Sequence, residues 1–279
     1  MRSERSGDPG SDKPPAADLH VHTTASDGVL TVPELADAAR EGGVDVVAVT
    51  DHDRIHPDLD APVQTLDGVT VIRGIELRVD AGDQRLDLLG YGLEVTDGIE
   101  TVTSRIQRNR KRRGGKIVAR VEDRLGVDLE VELEDGIGRP NIARAIEASD
   151  APYDFEAAFE ELIGNGRPCY VERWVPSLSA GAEVLRESCD VVALAHPFRY
   201  PDPESALECA RDLDAIERFY PYSGSSAEKE DRELVDDVAA DAELLATGGS
   251  DAHDRTLGIA GPPPAEFDAF AARLPGVRR

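Results

Sequence analysis

Ala17-Asp18-Leu19-His20-Val21-His22 is a short apolar run ending in histidines, and Val46-Val47-Ala48-Val49-Thr50-Asp51-His52 repeats the pattern. Between them, Thr31–Gly42 carries a helix start, a helical apolar period and a terminal glycine. Strand, helix and strand in that order predict an α/β fold with a mostly parallel sheet. The same kind of ending returns in Val191-Val192-Ala193-Leu194-Ala195-His196 and in the run from Leu244 to Asp251-Ala252-His253, while Val69–Glu76 ends in a carboxylate. Strand-like runs fall near 17–22, 44–50, 69–76, 85–92, 190–196, 214–219 and 243–250, and further crossover helices are expected at Ser179–Ser188, Ser205–Leu213 and Ser225–Asp241. Such a set suits a barrel whose strand ends share one rim, where His and Asp/Glu together bind transition metals.

Residues 98–176 break the alternation. Thr101–Leu125 reads as a long Arg-rich helix, Ile142–Ala148 and Asp154–Gly164 as shorter ones, and Gly138-Arg139-Pro140 as a loop. The expected organisation is a disordered tail over 1–16, a barrel over 17–97 and 177–264, a helical insertion over the active site at 98–176, and a C-terminal tail over 265–279.

The 279 residues carry 56 acidic and 31 basic side chains, a formal net charge of -25. Lysine is confined to Lys13, Lys111, Lys116 and Lys229. Such a chain repels itself unless salt screens it, which points to a high-salt cytoplasm. It also argues against a duplex-DNA binder, which needs a broad basic face. No run approaches a membrane span, and Met1–Ala16 lacks the apolar core of a signal peptide, so a cytoplasmic location is expected. Cys169, Cys189 and Cys209 are isolated and read as buried free thiols.

His20 and His22 stand two apart on one strand, so both side chains leave the same face, and Asp251 and His253 repeat that spacing. With Asp51-His52, Glu76 and His196 at other strand ends, the set points to a metal-dependent hydrolase. His56, before Pro57 in a loop, is expected on the surface.

The motifs Asp18-Leu19-His20-Val21-His22 through Asp27-Gly28, Thr50-Asp51-His52-Asp53, Gly74-Ile75-Glu76, Ala195-His196-Pro197 and Gly249-Ser250-Asp251-Ala252-His253 resemble those of the PHP (polymerase and histidinol phosphatase) family over about residues 16–260. The resemblance implies a distorted (β/α)7, TIM-like barrel with a metal cluster at its C-terminal rim. Arg105–Arg113, Gly138-Arg139-Pro140-Asn141-Ile142-Ala143-Arg144 and Ala158-Phe159 with Gly166-Arg167-Pro168 resemble the branch acting on nucleoside 3′,5′-bisphosphates and on oligonucleotide or RNA 5′ ends. It implies two or three divalent ions (Mn, Zn or Fe). His20, His22, Glu76 and Asp251 would hold the first, Glu76 with His196 and Asp87 the second, and Asp27, His52 and His253 the third. Asp51 would orient an imidazole instead.

Two positions depart from the family pattern. Asp87 stands where His is usual, which brings a harder oxygen donor or a weakened second site. Asn141 replaces a His and cannot titrate near neutral pH. A metal-bridged hydroxide would supply the nucleophile for phosphate-ester hydrolysis, and Arg139, Asn141 and Arg199 the contacts to substrate phosphate. His253 would be a ligand or a general acid. The basic run Arg105–Arg113 reads as a helix face pairing with nearby acids, or as a steering patch for a phosphodiester. The expected substrate is a nucleotide phosphate or a short single-stranded oligonucleotide. Alternatives are a histidinol-phosphatase-type phosphomonoesterase, an amidohydrolase-type deaminase and a non-catalytic interaction module.

Overall fold

The computed structural model describes residues 15–222 and 228–277. Nearly all of the expected N-terminal tail, and the first residues of the helix expected at Ser225–Asp241, lie outside that range. Two compact units are present, Met1–Thr96 with Ser177–Arg279, and Asp97–Pro176.

The first unit begins with β1 (Asp18–Val21), α1 (Val32–Gly42), β2 (Val46–Val49), β3 (Val63–Leu66), β4 (Val69–Asp80) and β5 (Arg85–Tyr91). The second unit contains α2 (Asp97–Leu125), α3 (Arg139–Ala148) and α4 (Phe155–Ala157), which continues as a π-helical turn at Ala158–Ile163. The chain returns to the first unit through α5 (Leu178–Ser188), β6 (Val191–Leu194), α6 (Pro203–Ala210), β7 (Ala215–Phe219), α7 (Glu228–Asp241), β8 (Leu245–Gly248) and α8 (Pro264–Ala271).

The strands form one curled, mixed sheet in the order β1-β2-β4-β5-β6-β7-β8, with β3 paired to β4. In β1-α1-β2, β6-α6-β7 and β7-α7-β8 the strands on either side of the helix pair in parallel. Beyond β8, a parallel bridge joins Ala252 to Val21. The expectation of a mostly parallel sheet fails at β3–β4, β4–β5 and β5–β6, all antiparallel. Only Ala81-Gly82-Asp83-Gln84 separates β4 from β5, too short for a crossover. β3 went unforeseen although Asp67-Gly68, both at positive φ, is a two-residue hairpin turn. Glu76 lies within β4 rather than at its end, because Leu77 and Val79 extend the strand to pair with β5.

Along β2, Val46 and Ala48 enter one core cluster while Val47 and Val49 enter another. Both strand faces are therefore covered, which explains the unbroken apolar run. α1 covers the second cluster with Leu35, Ala36, Ala38 and Ala39. The first is closed by the expected C-terminal tail, read as a short helix and a loose end. Phe270 is fully buried, its ring edge-on to Tyr91 at 5.1 Å, and Phe267 and Leu274 join it. α8 is thus part of the core.

The helical unit has its own core, in which Ile117 and Val121 of α2 meet Ile142, Ala143 and Ile146 of α3, with Leu162 and Ile163. Gly138-Arg139-Pro140 is not a loop. Gly138 caps α3 and Pro140 sits in its first turn, where a missing N–H costs nothing. Cys169 is buried, but Cys189 and Cys209 are only half-buried; all three are free. No described helix is long and apolar enough to cross a membrane.

Candidate metal centre

β1 delivers His20, and His22 follows it directly; both are fully buried. The turn after β2 delivers His52, tied to β4 by a bridge to Glu76 and by the Asp53 N–H donating to the Glu76 carbonyl at 2.8 Å. His196 follows β6, and Asp251 and His253 follow β8. Asp18 anchors this last segment beside β1, accepting from Ser250 N–H (2.9 Å), Ser250 Oγ (2.6 Å) and Gly258 N–H (2.8 Å). Gly249 permits the approach, since a Cβ there would fall 2.3 Å from His20 N.

Three groups result, each with its ligand-capable atoms within 4.8 Å of one another. They are His20, His22 and Asp251; Glu76, Asp87 and His196; and His22, Asp27, His52 and His253. Glu76 joins them, with Oε1 2.9 Å from His196 Nε2 and 3.6 Å from His20 Nε2, and Oε2 2.5 Å from His52 Nδ1 and 3.5 Å from His22 Nε2. Asp251 Oδ1 lies 3.1 Å from His22 Nε2 and 3.5 Å from His20 Nε2. Asp27 Oδ1 is 3.4 Å from His253 Nε2.

Burial alone would raise the Glu76 pKa, but His52 and His20 hold it well below the usual carboxylate range. Burial, with His52 nearby, lowers that of His22 and keeps its ring neutral. Burial likewise opposes charge on His52, but Glu76 and Asp27 push its pKa up to about 9. Several buried atoms make no hydrogen bond: His20 Nε2, both ring nitrogens of His22, Asp27 Oδ1 and Glu76 Oε2. Buried polar atoms left so are costly. Their convergence, imidazole nitrogens beside carboxylate oxygens, fits divalent metal ions, which would displace the protons that His20 and His52 hold in the metal-free protein.

Backbone strain marks the same place. His196 (φ 26°) and Asp251 (φ 52°) both adopt left-handed conformations disfavoured for residues with a Cβ.

Sequence reasoning missed Glu217, in β7. Its Oε1 lies 3.0 Å from His20 Nδ1 and its Oε2 accepts from His196 N–H at 2.7 Å. The available signal was a carboxylate inside an apolar strand, rarely buried without a task. Tyr220 was missed too; its hydroxyl donates to Asp251 Oδ2 at 2.9 Å. Asp51 does not orient an imidazole. It accepts from Thr23 N–H, Thr23 Oγ1 and Ser26 Oγ at 2.6–2.8 Å, fixing the loop after β1. His56 is buried, not on the surface, because its Nδ1 accepts from Asp58 N–H inside the turn.

Arg199 donates to Asp251 Oδ2 at 2.7 Å and to Tyr220 at 2.9 Å. On the helical unit, Arg139 donates to Asn165 Oδ1 at 2.9 Å, and Asn141 Oδ1 accepts from Gly138 N–H at 2.9 Å, capping α3.

A sequence model of the PHP domain matches residues 18–156. The chain is similar to a 5′-3′ exoribonuclease of Haemophilus influenzae, 27% identical over 250 residues, covering 85% of this chain and 89% of that protein. It is also similar to a phosphoribosyl 1,2-cyclic phosphate 1,2-diphosphodiesterase of Eggerthella lenta, 29% identical over 264 residues, covering 85% and 94%. A crystal structure from Bifidobacterium adolescentis described as a metal-dependent phosphoesterase superposes with a TM-score of 0.74 at 25% identity, covering 94% of this chain and 98% of that one. With the motifs, the converging donors and the matched domain in agreement, the chain belongs to the PHP-domain family.

Proposed function

We propose that this metal-dependent phosphoric ester hydrolase acts on nucleotide phosphates or on the 5′ ends of short single-stranded oligonucleotides. The observation that carries the reading is the convergence of unbonded, buried His and carboxylate atoms around Glu76. In this reading the curled sheet is a distorted TIM-like barrel, supported by the bridge between Val21 and Ala252.

His20, His22 and Asp251 would hold one divalent ion, Glu76, Asp87 and His196 a second, and Asp27, His52 and His253 a third; Mn, Zn and Fe all suit such donors. Ions bound there would activate water near neutral pH and neutralise charge on phosphoryl oxygens. Glu217 Oε1 would accept a hydrogen bond from His20 Nδ1–H, 3.0 Å away, leaving Nε2 to face a metal beside Glu76 and Asp251. The Asp251 carbonyl does the same for His253, whose Nδ1 is 2.9 Å away. In that tautomer His253 Nε2 would be available to a metal, and His253 is assigned to the ligands rather than to a general acid. Arg199, half-exposed beside Asp251, can exchange a carboxylate partner for a substrate oxygen. Arg139 and Asn141 are assigned to a further substrate phosphate.

The cyclic phosphodiesterase relative favours a second reading, a small sugar-phosphate diester as substrate. Metal analysis followed by a phosphate-release panel tests both. We expect two or three ions per chain, and release from nucleoside bisphosphates or 5′-phosphorylated oligonucleotides that chelator abolishes. Full activity in a metal-free preparation would sink the proposal.

A further inference from the structure

α2 carries no carboxylate between Thr101 and Val121, although the chain has a net charge of -25. Several of its cations have partners within the helical unit. Arg110 is buried and donates to the carbonyls of Gly136 and Ile137, Arg113 donates to the Val171 carbonyl, and Lys111 pairs with Asp135. Arg105, Arg108 and Arg112 differ. They are exposed, they share a helix face at i, i+3 and i+7, and none pairs with a carboxylate among the described residues. In so acidic a protein, leaving three neighbouring arginines unpaired forgoes readily available ion pairs.

The Arg105 guanidinium lies 3.6 Å from the ring centroid of Trp174. With Arg108, Asn109 and Arg112, these two residues line a cavity of about 480 Å³. That is within the roughly 300–1,000 Å³ of small-ligand pockets.

We propose that this cavity binds a segment of single-stranded oligonucleotide, one base stacking on the Arg105–Trp174 pair and consecutive phosphates meeting Arg108 and Arg112. It rests on the proposed function by making the substrate a nucleotide chain rather than a mononucleotide. Bases stack on aromatic rings and on guanidinium planes alike. An acidic peptide would satisfy the arginines but has no flat face for the Arg105–Trp174 pair. Arg108 and Arg112, one helical turn apart, suit successive phosphates better than a single one. Asn109 lies between them; its Oδ1 accepts from Trp174 N–H at 3.1 Å, which fixes the Trp174 backbone against α2.

The chain holds a single tryptophan, so intrinsic fluorescence reads Trp174 alone. The probe is a phosphorothioate-linked octaadenylate with a 5′-hydroxyl, titrated into the full-length, metal-loaded protein across a potassium chloride series. We expect quenching, with Arg108→Glu and Arg112→Glu each weakening binding about tenfold and flattening the salt slope by about 0.7. An abasic octamer of equal charge should bind about tenfold more weakly. Arg211→Glu, an equal charge change on α6's exposed end, should bind as the parent does. Absence of quenching, parental binding by both α2 variants, or equal binding of the abasic octamer or of polyglutamate would each overturn the site. Phosphate release from a nucleoside bisphosphate, measured alongside, keeps the two readings apart. Release without quenching overturns this site and leaves the proposed activity standing; quenching without release overturns the activity and leaves the site.

Discussion

Arg78 and Asp87 stand directly opposite each other on β4 and β5, joined by two parallel hydrogen bonds, Nε to Oδ1 at 2.7 Å and Nη2 to Oδ2 at 2.5 Å. Burial would raise the Asp87 pKa, but the Arg78 guanidinium lowers it, so the carboxylate stays charged. Asp87 also groups with Glu76 and His196, its Oδ2 3.9 Å from His196 Nε2. A carboxylate at this position can serve an arginine on one side and a metal on the other. An imidazole would answer the metal alone.

Asp87→His should raise zinc affinity at the second position, because imidazole is the softer donor. It should also strand Arg78. That side chain is 40% exposed, so solvent limits the loss to about 1 kcal/mol, well under the roughly 3–5 kcal/mol of a fully buried pair. Arg78→Ala with Asp87→His should recover part of the stability. Thermal melts and zinc titrations of the single and double variants check this; parental metal content and rates in both Asp87→His and Asp87→Ala would remove Asp87 from the cluster.

Glu217→Ala should reduce metal affinity or activity by about 10–100-fold without removing a ligand. His20 would lose the partner that sets its tautomer, and His196 the acceptor for its backbone N–H in a strained conformation. Metal content by elemental analysis, compared with His20→Ala, measures the effect. Unchanged affinity in a folded Glu217→Ala protein would make this carboxylate a packing feature only.

Five of the six histidines were legible because they stand at the ends of apolar runs, and such runs betray strands in any order of pairing. Strand direction was not legible in the same way. Nothing in the apolar pattern of Arg85–Tyr91 says that it turns back on β4; only the four-residue gap does. Glu217 escaped notice because its significance lies in contacts 197 and 21 residues distant. Asn141 and Arg139 were read from their neighbours in sequence; the helix over Ile142–Ala148 was expected, but its first turn, which they form, was taken for a loop.

Metal binding should release protons. In the metal-free protein Glu76 and Asp27 push the His52 pKa up to about 9, so near pH 7.5 this ring carries a proton that a metal must displace. Metal affinity should therefore climb with pH until about 9. His52 stabilises the metal-free fold fully below its ordinary pKa of about 6.5, and that contribution is lost as pH rises through 9. The melting temperature of chelated protein should fall over this interval, and calorimetry in buffers of different ionisation enthalpy should show proton release near pH 7.5. Zero release would mean that His52 is neutral or is not a ligand.

Salt should act on folding and on catalysis in different ways. With a net charge of -25, repulsion among carboxylates opposes the compact state, and molar salt, where the Debye length is about 3 Å, removes it. Folding should strengthen with potassium chloride, as the proposed high-salt origin requires. An anionic substrate feels distant repulsion from the acidic surface and short-range attraction to bound metals and to Arg199. Screening at a length comparable to a contact distance weakens the distant term more than the direct contacts. Activity per folded molecule on a mononucleotide should therefore hold or rise with salt, whereas an oligonucleotide held by Arg108 and Arg112 should lose affinity through counterion release. Circular dichroism and turnover measured together across a salt series separate these effects. A protein fully folded at low salt whose mononucleotide turnover drops steadily with added salt would contradict both the high-salt reading and this account of the site.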